Sequence, residues 1–340
     1  MIQTIAINAR YTHRRPAGVE RYARELSVRL EPPVRSIASP HASGLRGHLW
    51  EQFSLPRRLR PGEVLWSPAN SGPWAVRCQA ITLHDASPFD HPEWFHPNFA
   101  AWTRLSWRIL AQTCAAVITV SDFSRQQLKA HLLLSDQKLY VVPNGVGKSF
   151  SPATKRVVQE TLDKYAIRRP YFFFTGTHEP RKNLGRLFLA WERALSSLNG
   201  RDLVVAGEAG AIFRSKGYHR IPPNTQLLGY VPEADLPALY SGAAAVIIPS
   251  LYEGFCLPVL EAMACGAPVI TSNAASLIEL TAGAALMVEP LEPASIAQAL
   301  LQLSSDPGLA NKLRERGLKQ ARQFSWDTSA LQLQSILRAF

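Results

Sequence analysis

Two glutamates, Glu253 and Glu261, stand seven residues apart in the stretch Pro249-Ser-Leu-Tyr-Glu-Gly-Phe-Cys-Leu-Pro-Val-Leu-Glu-Ala-Met-Ala-Cys-Gly266. An apolar, strand-like run ends near Pro249, Pro258 suits the first turn of a helix, and Gly266 suits its stop. Glu253 therefore falls in the loop ahead of the helix, and Glu261 about one turn inside it. Between them, the N–H groups of Gly254, Phe255, Cys256 and Leu257 fall at the positive end of the helix, where a phosphate is readily held. Two carboxylates flanking such a cradle can grip sugar hydroxyls. The simpler account makes Glu261 a partner of the helix dipole and Glu253 a solvated loop residue.

A second cluster is Thr175-Gly-Thr-His-Glu-Pro-Arg-Lys-Asn-Leu184, again strand, loop and helix start. With Asn183 read as the N-cap, Arg181 and Lys182 stand beside the positive helix end, where each cation costs roughly 0.3–1 kcal/mol. An anionic ligand offsets that cost, and two cations facing a diphosphate stabilise charge on a leaving group. Two solvated surface cations are the plainer alternative. A third feature is Ile81-Thr-Leu-His-Asp85 at a strand end. His84 and Asp85 lack companion metal ligands, so His84 reads as a hydrogen-bond partner or base, against the commoner structural histidine. Gly18, at the turn from the first strand into the first helix, lets backbone approach a ligand, but one glycine without G-x-G-x-x-G carries little weight.

These residues need elements to hold them. Residues Thr4–Ala9, Val34–Ala38, Val64–Ser67, Ala80–His84, Ala116–Val120 and Leu139–Pro143 read as strands, with helices over Val19–Leu30 and Phe99–Cys114. The second half repeats the alternation: strands Tyr171–Thr175, Leu203–Ala206, Gln226–Val231, Ala244–Pro249, Pro268–Thr271 and Leu286–Glu289, helices Asn183–Leu198, Pro258–Ala264, Ser295–Leu303 and Gly308–Gln323. Near-continuous apolar runs suit parallel strands buried on both faces. The fold class is therefore α/β, two doubly wound Rossmann-like domains with the site expected in the cleft between them. The expected boundaries are 1–150, a linker at 151–167, 168–325, and a terminal helix at 326–340.

The 340 residues suit two domains, and 46% hydrophobic against 19% charged residues exclude a mainly disordered chain. No run approaches the roughly 18 apolar residues of a membrane span. An apolar start (Ile2–Ala9) followed by Arg10, Arg14 and Arg15 is the reverse of a secretory signal, so a cytoplasmic location is expected. Cys78, Cys114, Cys256 and Cys265 form no C-x-x-C pair, which argues against a disulfide scaffold or a zinc site. The formal charge is +11, and residues 1–150 hold 18 basic against 10 acidic side chains. Such a surplus points to an anionic partner: nucleic acid, an anionic membrane or a phosphorylated substrate.

Taken together, the motifs resemble the retaining glycosyltransferases of family four, whose fold, GT-B, pairs two facing Rossmann-like domains. The resemblance rests on Glu253 and Glu261, on Gly176-Thr-His-Glu-Pro-Arg-Lys-Asn183, and on the Gly18 turn. It rests also on His84-Asp85 with His91-Pro-Glu-Trp94, on Val120-Ser-Asp-Phe-Ser124 and on Pro143-Asn-Gly145. It runs through essentially the whole chain, nearest to bacterial mannosyl- and rhamnosyltransferases of surface polysaccharides. The resemblance implies that Arg181 and Lys182 bind the donor diphosphate, Glu261 the ribose, and Glu253 with the amides after it the transferred sugar. Gly229, Tyr230 and Val231 would border the base, Gly18 would close over the phosphates, and His84 would lie beside the reacting sugar. Many relatives carry Arg after the phosphate-loop glycine; Thr177 here leaves more of that task to Arg181 and Lys182. The last helix, near Trp326–Phe340, would cross back onto the first domain.

The expected reaction is transfer of a hexose from a nucleotide diphosphate sugar, GDP-mannose first, to a hydroxyl with the configuration kept. Donors with dTDP-rhamnose, UDP-glucose or UDP-N-acetylglucosamine are the near alternatives. No cofactor and no metal are called for beyond the donor as co-substrate. The acceptor is expected to be a lipid-linked glycan. Contact with an anionic inner membrane surface is expected through Arg57, Arg58 and Arg60, and through Phe95, Phe99, Trp102 and Trp107 beside Arg104 and Arg108, although such aromatics also suit a core. Nucleic acid becomes a remote partner, and the oligomeric state stays open. An epimerase of the same architecture and a non-catalytic nucleotide-sugar binder are the competing classes.

Overall fold

The computed structural model describes residues 4–13, 17–41, 44–198, 200–208 and 220–340; Arg14 and Arg15 lie outside them. The described residues form two six-stranded parallel sheets. The first comprises β1 (Ile5–Asn8), β2 (Val34–Ile37), β3 (Val64–Ser67), β4 (Gln79–Thr82), β5 (Ala116–Thr119) and β6 (Leu139–Val141), in the order β2-β1-β3-β4-β5-β6. The second comprises β7 (Tyr171–Thr175), β8 (Asp202–Ala206), β9 (Thr225–Gly229), β10 (Ala245–Ile248), β11 (Val269–Ser272) and β12 (Leu286–Val288), in the order β12-β11-β10-β7-β8-β9. The α/β doubly wound reading therefore holds. Each sheet has one point where the strand order reverses, between β1 and β3 in the first and between β7 and β10 in the second. Ligands of such sheets bind outside the carboxyl ends of the strands at that reversal.

β7 shows why these runs are apolar throughout. Its side chains alternate between faces. Phe173 meets Tyr240 at 5.6 Å between ring centroids, while Phe172 meets Trp191 at 6.0 Å on the other face. Phe172 and Phe174 join Leu187, Trp191, Ile296 and Leu300 in one buried cluster. A strand covered on both faces favours apolar side chains at every position, and a polar group there needs a partner, as the Tyr171 hydroxyl has in the Leu239 carbonyl.

Two compact units divide the chain: Met1–Glu93, Pro97–Gly145 and Ser325–Phe340 in one, Trp94–His96 and Val146–Phe324 in the other. The first thus takes in the helix Trp326–Leu337, whose N-terminus is capped by Ser325. Trp326 packs edge-on against Tyr22 at 6.1 Å, and Arg29 pairs with Asp327 at 2.8 Å. Gly145 permits this docking, because a Cβ there would collide with the backbone of Ser325 and Trp326.

Strand limits shift in places that matter. β4 ends at Thr82, so His84 sits in the following loop rather than in the strand, and β9 ends at Gly229, ahead of Tyr230 and Val231. The expected aromatic interface divides: Trp107, 2% exposed, and Phe95, 4% exposed, are core, while Phe99 and Trp102 on the helix Pro97–Thr113 are exposed. Trp107 Nε1 donates to the Asn70 carbonyl at 2.8 Å. No helix among the described residues is long and apolar enough to cross a membrane.

Candidate active site

The loops after β7 and β10 flank the strand reversal of the second sheet and are tied together by backbone and side chain. Leu251 N donates to the Arg181 carbonyl at 2.7 Å, and the Asn183 amide donates to the carbonyls of Pro249 and Pro290. Asn183 occupies the cap position of the helix Leu184–Ala194, but in a left-handed conformation (φ 61°) with no side-chain cap bond. Its amide is spent on joining loops. That corrects the expectation of an ordinary N-cap.

This joining brings four charged groups together. Arg181 donates to Glu253 Oε2 and Lys182 to Glu253 Oε1, each at 2.7 Å. Arg181 also pairs with Glu179 at 2.8 Å, and Thr177 Oγ1 donates to the same Glu179 oxygen at 2.9 Å. Glu253 and Lys182 are buried, at 4% and 6% exposure, so neither is the solvated residue of the plainer account. Burial alone opposes ionisation of Glu253, yet Lys182 and Arg181 outweigh it and hold the carboxyl down to about 2. The carboxylate is ionised at neutral pH.

The helix Leu257–Ala264 begins beside this cluster. Cys256, just before it, adopts φ +82°, a left-handed conformation costly for a residue with a side chain. The N–H groups of Phe255, Cys256 and Leu257 have no backbone or side-chain acceptor among the described residues. Ser276 Oγ fixes the loop from behind by donating to the Glu253 carbonyl at 2.9 Å. Glu261, 3% exposed, accepts from the Tyr240 hydroxyl at 3.0 Å. Trp94 belongs to this unit and lies edge-on to Tyr252 at 6.3 Å, next to Glu253 in sequence.

The shelf beside these loops is made of glycine. Gly176, Gly207 and Gly229 follow or end the adjacent strands β7, β8 and β9, with φ of 151°, 126° and 66°. Gly207 N donates to the Gly229 carbonyl at 2.7 Å, and a Cβ on Gly207 would collide with the Gly176 carbonyl. Sequence reasoning found Gly176 and Gly229 but missed Gly207, whose signal was a glycine directly after an apolar strand. Tyr230 is 61% exposed beside this shelf and Val231 is buried.

In the first unit, Gly18 opens the helix Gly18–Ser27. His84 is buried, edge-on to Tyr22 at 4.9 Å, and its Nε2 lies 2.9 Å from the Pro68 carbonyl, so that nitrogen carries the proton. Burial pushes its pKa below the usual histidine value, leaving a neutral ring at pH 7. Nδ1 is then the acceptor. Asp85 accepts from the backbone and hydroxyl of Ser87. Among the described residues, no three His, Cys, Asp or Glu side chains gather as a metal site would require.

Comparison with known proteins follows the same division. Residues 159–320 match the family model "Glycosyl transferases group 1", and residues 66–149 match "Glycosyltransferase Family 4". The chain is 32% identical over 266 residues to the O-antigen chain mannosyltransferase B of Escherichia coli, covering 76% of this chain and 70% of that enzyme. It is 26% identical to the serotype-specific mannosyltransferase WbdA of Escherichia coli over 77% of this chain, but only 33% of WbdA. Among solved structures, Anabaena HepE in complex with UDP-glucose superposes with a TM-score of 0.79 at 15% identity, covering 99% of both chains. WaaG, a glycosyltransferase involved in lipopolysaccharide biosynthesis, superposes with a TM-score of 0.76 at 13% identity, covering 98% of this chain and 99% of that one. At these identities the structural likeness speaks for the GT-B fold.

Proposed function

The chain belongs to the group 1 glycosyl transferases, and on that premise we propose that it moves a mannosyl unit from GDP-mannose to a hydroxyl of a lipid-linked glycan, with the anomeric configuration kept. The observation that carries this is the bridge of Glu253 to both Arg181 and Lys182 at the strand reversal. The names of the relatives support mannose as the sugar. In this reading the donor diphosphate takes up contacts to Arg181 and Lys182 that Glu253, with Glu179 on Arg181, now makes. The N–H groups of Phe255, Cys256 and Leu257, with Gly254 beside them, add the helix dipole. Cations and oriented amides then stabilise charge on the departing phosphate.

The remaining donor contacts follow the same logic. Glu253 turns an oxygen to the sugar hydroxyls, Glu261 binds the ribose, and Gly176 and Thr177 border the phosphates. Gly229, Tyr230 and Val231 flank the base. Attack by the acceptor hydroxyl on the leaving-group face needs no further base, since the departing phosphate takes the proton, and we propose it over a covalent glutamyl intermediate. In that step the sugar–phosphate bond breaks, the new glycosidic bond forms on the same face, and the proton passes to the departing phosphate oxygen. The deciding experiment incubates the chain with GDP-mannose, dTDP-rhamnose, UDP-glucose and UDP-N-acetylglucosamine and a lipid-linked glycan acceptor. Turnover of GDP-mannose to an α-linked product, read by NMR, is expected; conversion of the donor sugar without acceptor would make it an epimerase.

The membrane part of the reading keeps Arg57, Arg58 and Arg60 and takes in apolar neighbours. Leu45, Leu49 and Phe53, at four-residue spacing, are 74%, 47% and 58% exposed, with exposed Arg46, Arg57, Arg58 and Arg60 around them. Apolar side chains in a basic surround complement an anionic bilayer. We assign contact with anionic lipid to this face.

A further inference from the structure

The first sheet has its own strand reversal, between β1 and β3, and a buried charged group sits there that the donor chemistry leaves unused. β1 ends at Asn8 and β3 at Ser67, joined by a contact of 3.4 Å between Asn8 Nδ2 and Ser67 Oγ. Asn8 Nδ2 also donates to Glu51 Oε1 at 2.7 Å, Ser71 Oγ donates to the same oxygen at 3.0 Å, and Arg10 lies 3.5 Å from it. Arg10 in turn donates to Ser71 Oγ at 2.7 Å. Glu51 is only 1% exposed, yet its other oxygen, Oε2, has no hydrogen-bond partner, and His48 Nδ1 lies 4.0 Å from it.

Glu51 reaches this position from an unusual turn. It lies on a π-helical turn, Trp50–Ser54, a wide winding found disproportionately at functional sites. A small recess opens here, lined by Asn8, Arg10, Tyr11, Glu51, Ala69 and Ser71. A carboxyl oxygen buried without a hydrogen-bond partner is costly, and a donor entering the recess removes that cost.

We propose that this recess, with room for a group about the size of one water, is a subsite for a hydroxyl group of the acceptor sugar, received by Glu51 Oε2. The inference rests on the reading of the chain as a hexosyltransferase. Glu51 neutralises Arg10, so the recess presents no net positive charge to a phosphate and suits a neutral polyol. The donor belongs to the strand reversal of the second sheet; the equivalent place in the first is left for the other substrate.

The test uses the intact chain with methyl α-D-mannopyranoside, inorganic phosphate and GDP, each titrated by ligand-observed NMR. Wild type is expected to bind the mannoside, and Glu51→Gln and Ala69→Leu are each expected to weaken it at least tenfold while GDP binding stays the same. Ala69→Leu fills the recess without touching the polar group, so it decides the matter even where Glu51→Gln folds poorly. Absence of mannoside binding, or equal binding by both variants, overturns the proposal and leaves the recess to water. Variant-sensitive binding of phosphate in place of mannoside overturns it as well. If GDP fails to bind while the mannoside remains sensitive to both variants, the donor reading falls and the subsite stands.

Discussion

Lys182 reaches Glu253 across 71 positions of sequence, its ammonium donating to Oε1 at 2.7 Å in a buried setting. The carboxylate therefore competes with a diphosphate for the same cation. Glu253→Gln removes that competition while keeping the shape. Turnover should fall at least about 100-fold, some 2.7 kcal/mol of barrier, because the sugar loses its charged partner. GDP should bind about three- to tenfold tighter, on the order of 1 kcal/mol, because the cluster gains one positive charge. Calorimetry showing weaker GDP binding in this variant would sink the arrangement.

Acid should reveal the same group. The carboxyl of Glu253 is lowered from 4.5 to about 2 on folding, so its contribution is complete above about pH 4.5 and lost as pH falls toward 2. The shift corresponds to on the order of 3 kcal/mol. Urea unfolding between pH 6 and pH 3 is the measurement, and Glu253→Gln should show a flatter decline below pH 4.5 than wild type. Parallel curves would contradict the assignment.

Cys256 holds a left-handed conformation at the head of its helix. Glycine takes that conformation freely, and a β-branched residue does not. Cys256→Gly should stay within about 1 kcal/mol of wild type, its lost packing offset by relief of strain, while Cys256→Val should lose more than about 2 kcal/mol. Denaturant midpoints separate the two.

Gly207 and Gly200 both have positive φ, but only Gly207 faces another backbone. Gly200→Ala should cost about 1 kcal/mol from conformation alone. Gly207→Ala must also push β7 and β8 apart at their ends, and should cost more than about 2 kcal/mol and weaken GDP binding. Equal losses would mean that the glycine shelf is not tight.

Replacing Leu45, Leu49 and Phe53 together by serine should abolish sedimentation with vesicles containing anionic lipid at low salt. Thermal stability should change little, because these side chains are exposed. Sedimentation at the wild-type level would remove this face from the membrane reading.

The sequence displayed the sheets plainly, because strands such as Tyr171–Thr175 are packed on both faces and are mostly apolar along their length. It showed the site loops for a related reason: glycine, proline and charge cluster where apolar runs stop. Its limits lay where a third dimension decides. Trp107 and Phe53 are both aromatic residues near arginines, yet one is core and the other exposed, since spacing along a helix does not say which face meets a neighbour. Asn183 has the composition of a cap and instead joins two loops, and the bond between Lys182 and Glu253 spans a separation that no local pattern encodes. The buried Arg10 and Glu51 left no motif at all.

The docking of Trp326–Leu337 beside Gly145 also orders events during synthesis. The first unit holds the earliest residues, but its final helix emerges only after the whole stretch up to Phe324 has been translated. The ribosome thus delivers everything the second unit needs while the first is still missing a piece, so N-to-C emergence does not set the order of completion. Joining the final helix to the first unit closes the chain around the whole of Val146–Phe324, a closure whose cost grows only slowly with length.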